Sequence, residues 1–141
     1  MDINWQEYWQ KRYGQINFDT ESLKLDDNGD VISLGEENPA LEEIDARYIG
    51  LMKFSKQGAK KLKEVWNQNK EEFWDKPWKT SGNTLKNAYM TDMLQVLIDE
   101  GNKVKALETN NGWLEFDTNK DYEKALKWFE NGEINFDFSL D

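Results

Sequence analysis

The sequence contains no cysteine and no histidine. The lack of cysteine excludes disulfides, thiolate nucleophiles and cysteine-ligated zinc. The lack of histidine removes the commonest general base and metal ligand. Any chemistry in this chain must therefore use carboxylates, lysines, hydroxyl groups or the backbone.

Basic residues are also scarce, with 18 Lys and Arg against 28 Asp and Glu, which gives a net charge of −10. No basic run stands apart from the acids, so the composition argues against binding to nucleic acid or to an anionic membrane. No apolar run approaches the length of a membrane span, and residues 1–4 lack the pattern of a secretory signal. We therefore expect a cytoplasmic protein.

The length of 141 residues fits a single domain over residues 1–141, with room for one core. Seven Trp, seven Phe and five Tyr supply apolar surface for that core. Periodicity and turn residues predict a helix from Asn4 to Gly14, hairpin strands over 22–25 and 31–34, an apolar strand over 47–54, helices from Ser55 and over 84–100, short strands over 104–107 and 113–117, and a last helix after Thr118. The order of these elements predicts an α/β fold with helices covering a sheet.

Two further local predictions follow from the C-terminal sequence. Thr118 and Asp121 resemble a capping box, and the inward face of the last helix is expected to carry Tyr122, Ala125, Leu126 and Phe129. The alternating residues 134–140 fit either an edge strand or a loose end.

The strongest local chemistry lies in the predicted strand that ends at Asp117. Alternation along a strand places Glu115 and Asp117 on the same side, together with Trp113. Two carboxylates with waters and substrate phosphates suit Mg²⁺. In so acidic a chain, the plainer interpretation is that Glu115 faces solvent and Asp117 begins the turn into the helix.

Two other residues, Gly50 and Asp92, have both a functional and a structural interpretation. Gly50, two residues after Tyr48, offers close approach for a ligand or another backbone, or is a packing glycine. Asp92 is a poor helix former inside a predicted helix, so it either serves the site or lies on a polar helix face.

Four stretches taken together resemble a known family. They are WQEYW with RYG over 5–14, EIDARYIGL with KFS over 43–55, AYMTDMLQ over 88–95, and GWLEFDT over 112–118. In this order and spacing they resemble the C-terminal half of sugar-phosphate nucleotidyltransferases, nearest to the branch that uses phosphocholine or phosphonates with CTP.

The resemblance implies a partial Rossmann-like sheet and transfer of a nucleotidyl group from an NTP to a phosphorylated or phosphonate acceptor. It implies Mg²⁺ as cofactor, Asp117 as a metal ligand with Glu115 beside it, and Tyr48, Gly50 and Asp92 near the acceptor, with Trp113 alongside.

The glycine-rich NTP loop and the first metal aspartate of such enzymes have no counterpart in this sequence. The resemblance therefore implies the acceptor-side half of an enzyme, either truncated or working with a separate N-terminal half chain. The alternative is a binding or interaction module that kept the fold and lost catalysis. Surfaces that would neighbour the absent half predict self-association into a homo-oligomer.

Overall fold

The computed structural model describes residues 1–79 and 81–134. Within them the chain is a mixed α/β fold. The helices are α1 (Trp5–Tyr13), α2 (Lys56–Phe73), α3 (Met90–Asp99) and α4 (Asn119–Glu130), and the strands are β1 (Glu21–Leu25) and β2 (Val31–Glu37). The alternating segment over 134–140 falls, apart from Ile134, outside the described residues. No helix of the described part has the length and apolar character needed to cross a membrane.

The predicted hairpin is confirmed. Strands β1 and β2 pair antiparallel, with Leu23 opposite Leu34 and irregularities at both ends of the register. Asp26 Oδ1 accepts backbone hydrogen bonds from Asn28 at 2.9 Å and Asp30 at 2.8 Å. Gly29 in the same turn has a φ of 72°, a conformation that glycine adopts without steric cost. The turn residues therefore fix the hairpin locally.

Helices α1 and α2 begin where the sequence predicts. Helix α1 starts after Asn4 and ends at Gly14, whose φ of 75° is left-handed. Ser55 caps α2 by accepting a hydrogen bond from the backbone of Gly58 at 3.0 Å.

Three predicted strands are wrong. Residues 47–54 form no strand, 104–107 contribute an isolated bridge between Lys105 and Asp30, and 113–117 have no regular secondary structure. A strand is defined by its partner, and the sheet of the described chain contains only β1 and β2. Gly50, with a φ of 77°, also interrupts the first of these runs.

The helix predicted over 84–100 is shorter than expected. A 3-10 turn occupies Leu85–Asn87, and α3 begins at Met90. The reason is Asp92, whose Oδ2 accepts a hydrogen bond from the Tyr89 backbone at 2.9 Å and so starts the helix there.

Buried apolar residues form two clusters rather than the single core expected. The first cluster joins the hairpin to α2 and α3 and includes Leu23, Leu34, Val65, Trp78 and Leu97. The second joins α1 to Ile44 and contains Trp5, Tyr8 and Trp9, with Trp113 and Trp128 packed against it. The second cluster positions the acidic residues described next.

The predicted inward face of α4 is largely wrong. Ala125 is buried, but Tyr122, Leu126 and Phe129 are exposed. Trp128 instead packs against the second cluster. Helix α4 packs against the aromatic residues of α1. The face that makes this contact carries Trp128 and differs from the face that periodicity predicted.

Candidate active site

Three carboxylates surround one buried arginine, Arg12. Its side chain is only 1% exposed. Nη1 lies 2.6 Å from Glu115 Oε2, and Nη2 lies 2.6 Å from Asp117 Oδ2. Nε lies 3.0 Å from Asp121 Oδ1. We call this group the Arg12 cluster: Arg12, Glu115, Asp117 and Asp121.

Helices α1 and α4 fix two members of the cluster. Arg12 lies in the last turn of α1, and Asp121 lies in the first turn of α4. Asp121 Oδ2 accepts from the Thr118 backbone at 2.8 Å, and Thr118 Oγ1 accepts from the Asp121 backbone at 3.3 Å. The predicted capping box is therefore confirmed, and its aspartate also pairs with Arg12.

The segment carrying Glu115 and Asp117 is held by side chains instead of by a sheet. Tyr8 Oη accepts a hydrogen bond from the Glu115 backbone at 2.9 Å. Trp113 Nε1 donates to Asp2 Oδ2 at 2.7 Å, and the Trp113 ring lies edge-on to Tyr8 with 5.3 Å between centroids. These contacts place both carboxylates on the same guanidinium.

The electrostatics of the cluster favour a further cation. Three carboxylates and one guanidinium sum to −2 at neutral pH, and the ammonium of Lys124, which donates to the Arg12 carbonyl, offsets part of this charge. The hydrogen bond from Arg12 holds the pKa of the Asp121 carboxyl well below its usual range. Burial raises the pKa of the neighbouring Tyr13 to about 12, so this phenol stays neutral and adds no further negative charge.

Glu115 and Asp117 are the two carboxylates of the cluster that could contribute ligands to a divalent cation. Arg12 engages Oε2 of Glu115 and Oδ2 of Asp117, while Oε1 and Oδ1 make no hydrogen bond with the described residues. The Asp117 side chain is 57% exposed and that of Glu115 is 34% exposed. Across residues 1–79 and 81–134, no group of three acidic side chains could hold a metal ion on its own. An ion here would complete its coordination with water and substrate phosphate, as Mg²⁺ commonly does.

Asp92, predicted near the acceptor, is occupied by structural hydrogen bonds. Its side chain is buried, Oδ1 accepts from the Ser81 backbone at 2.8 Å, and Oδ2 accepts from Ser81 Oγ at 2.7 Å as well as from the Tyr89 backbone. These bonds tie the residues before α3 to its first turn.

Tyr48 and Gly50 lie apart from the Arg12 cluster, in the segment before α2. Tyr48 is half-buried, and burial raises the pKa of its phenol. A Cβ built on Gly50 would meet nothing within 4 Å, so the described chain makes no close approach there. The left-handed φ accounts for the glycine within this chain. Among the described residues, no hydrogen bond or ion pair joins Tyr48, Gly50 or Asp92 to Glu115 or Asp117.

The sequence interpretation missed the central role of Arg12. One signal was available: Arg12 is one of only two arginines among the 18 basic residues. A planar guanidinium can pair with several carboxylates at once, which lysine cannot do in the same geometry. Each of the two arginines could therefore have been considered as the centre of a carboxylate cluster, a role that the sixteen lysines fill less well.

The comparisons with known proteins place this chain beside a cytidylyltransferase. It is 37% identical over 127 residues to a CTP:phosphoglutamine cytidylyltransferase of Campylobacter jejuni subsp. jejuni. The matched region covers 90% of this chain and 48% of the relative, so the chain spans about half of that protein. No family model matches the sequence, and no solved structure matches it. The chain is thus related over most of its length to an enzyme whose name describes nucleotidyl transfer.

Proposed function

We propose that this chain forms the acceptor side of a Mg²⁺-dependent nucleotidyltransferase that uses CTP. In this reaction an oxygen of a phosphorylated or phosphonate acceptor forms a bond to the α-phosphorus of the NTP. The bond from that phosphorus to the bridging oxygen breaks, and pyrophosphate leaves with the electron pair. The observation that carries the proposal is the 37% identity over 127 residues to a CTP:phosphoglutamine cytidylyltransferase.

Asp117 and Glu115 would hold the metal through the oxygens that Arg12 leaves free. Bound Mg²⁺ supplies charge neutralisation of the phosphates. Phosphoryl-type transfer asks a protein mainly for positioning and electrostatic stabilisation, so a chain without histidine has the groups that it needs. Arg12 is a positioning residue, because it sets the direction of both carboxylates.

The acceptor side is proposed to include Tyr48, Gly50, Asp92 and Trp113. Since both Asp92 oxygens and the Trp113 indole N–H already have partners within the chain, we assign these two residues an indirect role. They shape the surfaces beside which an acceptor binds. Tyr48 has a free phenol oxygen, because no hydrogen bond of the described residues involves it.

The donor side is proposed to come from polypeptide outside this sequence. The chain matches 48% of the relative, and its nine glycines form neither GxGxxG nor GxxxxGK[ST], the loops that cradle phosphates. We use the name complement for the part of the Campylobacter relative that lies outside the matched region.

The alternative is a non-catalytic binding module derived from the same fold. One observation favours it: Arg12 already neutralises part of the charge of Glu115 and Asp117. The comparisons do not support this alternative better than they support the enzyme.

A pyrophosphate-release assay separates the two functions. This chain and the complement, expressed as separate polypeptides, are mixed with Mg²⁺, a panel of NTPs, and phosphocholine or phosphoglutamine. We expect release from CTP in the mixture and none from either polypeptide alone. The enzyme proposal is wrong if the two chains form a stable complex that releases no pyrophosphate with any NTP.

A further inference from the structure

An apolar groove of about 390 Å³ opens onto the first apolar cluster. Its floor includes residues of both strands and of α3, namely Leu23, Val31, Leu34, Leu94 and Leu97. Its rim carries exposed apolar side chains, among them Leu51, Met52, Phe54 and Leu107. The groove therefore leads from exposed apolar side chains to buried residues of the first apolar cluster.

The backbone of residues 48–54 runs along one wall of the groove. None of its N–H or C=O groups makes a hydrogen bond with the described residues. Because the left-handed Gly50 interrupts the run, pairing as a strand would begin after it, where residues 51–54 combine apolar side chains with free backbone groups.

Exposure of the rim is large for a folded surface. Leu51 is 82% exposed and Leu107 is 74% exposed. Contiguous exposed apolar surface of this kind marks an interaction site, whereas scattered exposed residues do not.

We propose that the complement covers this groove, packing apolar side chains between Leu51 and Leu107 and supplying backbone partners to residues 48–54. The proposal rests on the proposed function, because it takes the absent half of the cytidylyltransferase as the occupant. The matched region is 48% of the relative, so the complement is about as large as the matched region and is large enough to cover the groove. A sheet of two strands is marginal by itself, and further strands from the complement would extend it.

The lysines at the rim give the groove little net charge. The residues lining the groove include Lys53, Lys61, Lys103 and Lys105. Lys61 pairs with Glu64, and Lys103 and Lys105 pair with Asp30. Apolar contact, more than charge, is therefore expected to hold the complement on this surface.

Hydrogen exchange and titration calorimetry test the proposal without any activity measurement. On adding the complement, the amides of residues 48–54 should exchange at least about tenfold more slowly.

The double variant Leu51→Lys with Leu107→Lys should weaken binding of the complement by at least about tenfold, since it places two charges in a desolvated apolar contact. The control Leu126→Lys, which changes a 46% exposed leucine on α4, should leave the dissociation constant unchanged.

Where the complement alone does not fold, a chimera supplies it. This chain replaces the matched region of the relative in one polypeptide, and exchange at residues 48–54 is compared with that of the chain alone. Protection in the chimera supports the proposal even if the chimera is inactive, so failure of the proposed function remains distinguishable.

Two results would overturn the proposal. One is unprotected amides over 48–54 in the complex or chimera. The other is a second copy of this chain as the occupant, seen by light scattering as a dimer that the double variant dissociates while no complex with the complement forms. Self-association, which the sequence also predicts, stays a prediction until this measurement.

Discussion

Replacing Arg12 with methionine is expected to lower the free energy of unfolding by about 3 kcal/mol at pH 7. The variant leaves Glu115, Asp117 and Asp121 facing one another without a cation. Methionine retains much of the side-chain volume, so the loss reports the ion pairs more than a cavity. Chemical denaturation followed by tryptophan fluorescence measures it.

The cost of Arg12→Met should shrink as the pH falls from 7 to 5. Without the guanidinium, repulsion from the two neighbouring carboxylates raises the pKa of Asp121 above its unfolded value, so the folded variant takes up a proton and gains stability as the pH falls. The native chain gains no stability from protonation of Asp121 in the same window, because Arg12 lowers the pKa of Asp121. The stability contributed by ionised Asp121 is complete above about pH 5 and is lost as the pH falls through its unfolded and then its folded pKa.

Arg47→Met is the matched control for this prediction. Arg47 stacks 4.3 Å from the centroid of the Trp9 ring, makes no salt bridge with the described residues, and buries Nε and Nη1 without hydrogen-bond partners. Its replacement should cost no more than about 1 kcal/mol. Burial raises the pKa of Glu21, and Arg47 opposes that rise at this one carboxyl, so the pH dependence of this variant should be smaller than that of Arg12→Met. Equal losses in the two variants would show that the Arg12 cluster does not organise this part of the fold.

Asp117→Asn is expected to reduce CTP-dependent pyrophosphate release in the mixture with the complement by about 10²–10³-fold. Removing one hydrogen-bond donor from an oxyanion hole typically slows a reaction by about 10²–10³-fold, and we expect a similar effect from removing one charged group beside a reacting phosphate. Stability should change little, because Asp117 is 57% exposed and exposed ion pairs contribute about 1 kcal/mol or less. A loss of rate with an intact fold therefore assigns Asp117 to the reaction.

Asp45→Asn is the control for Asp117. Asp45 is also an exposed aspartate in a single ion pair, with Lys24 at 2.8 Å. Its replacement should leave pyrophosphate release nearly unchanged. If Asp45→Asn and Asp117→Asn slow the reaction equally, the effect is one of general charge and Asp117 is not a metal ligand.

The sequence predicts the features of this fold that depend on local chemistry. The left-handed Gly14 ends α1, the residues around Gly29 form the hairpin turn, and Thr118 and Asp121 cap α4. Each depends on hydrogen bonds or backbone conformations within a few residues. Such features do not require knowledge of what the segment packs against.

The incorrect predictions share a different physical cause. Residues 47–54, 104–107 and 113–117 have strand-like patterns but lack a strand to pair with in the described chain. Apolar alternation specifies a surface to be buried, whereas a strand also needs a neighbouring backbone. Residues 47–54 have the sequence pattern of a strand but pair with no strand of the described chain. If the complement covers the groove as proposed, it would supply the missing neighbour.

The candidate site also combines features that a local sequence pattern predicts with features that depend on distant contacts. Alternation correctly suggested that Glu115 and Asp117 face one direction, although a strand is not what holds them. The contribution of Arg12 depends on contacts with residues more than a hundred positions away, so no local pattern indicates it. The capping role of Asp92 also required the position of Ser81, which periodicity does not give.

Paramagnetic broadening by Mn²⁺ tests most directly whether Glu115 and Asp117 bind a divalent ion. The seven tryptophans provide indole N–H signals, and Trp113 lies two residues from Glu115, while Trp78 belongs to the other apolar cluster. At substoichiometric Mn²⁺, we expect the Trp113 signal to broaden before that of Trp78, and we expect Asp117→Asn to remove this preference. Equal broadening of both signals, or a preference that survives in Asp117→Asn, would show that Glu115 and Asp117 do not form the binding site.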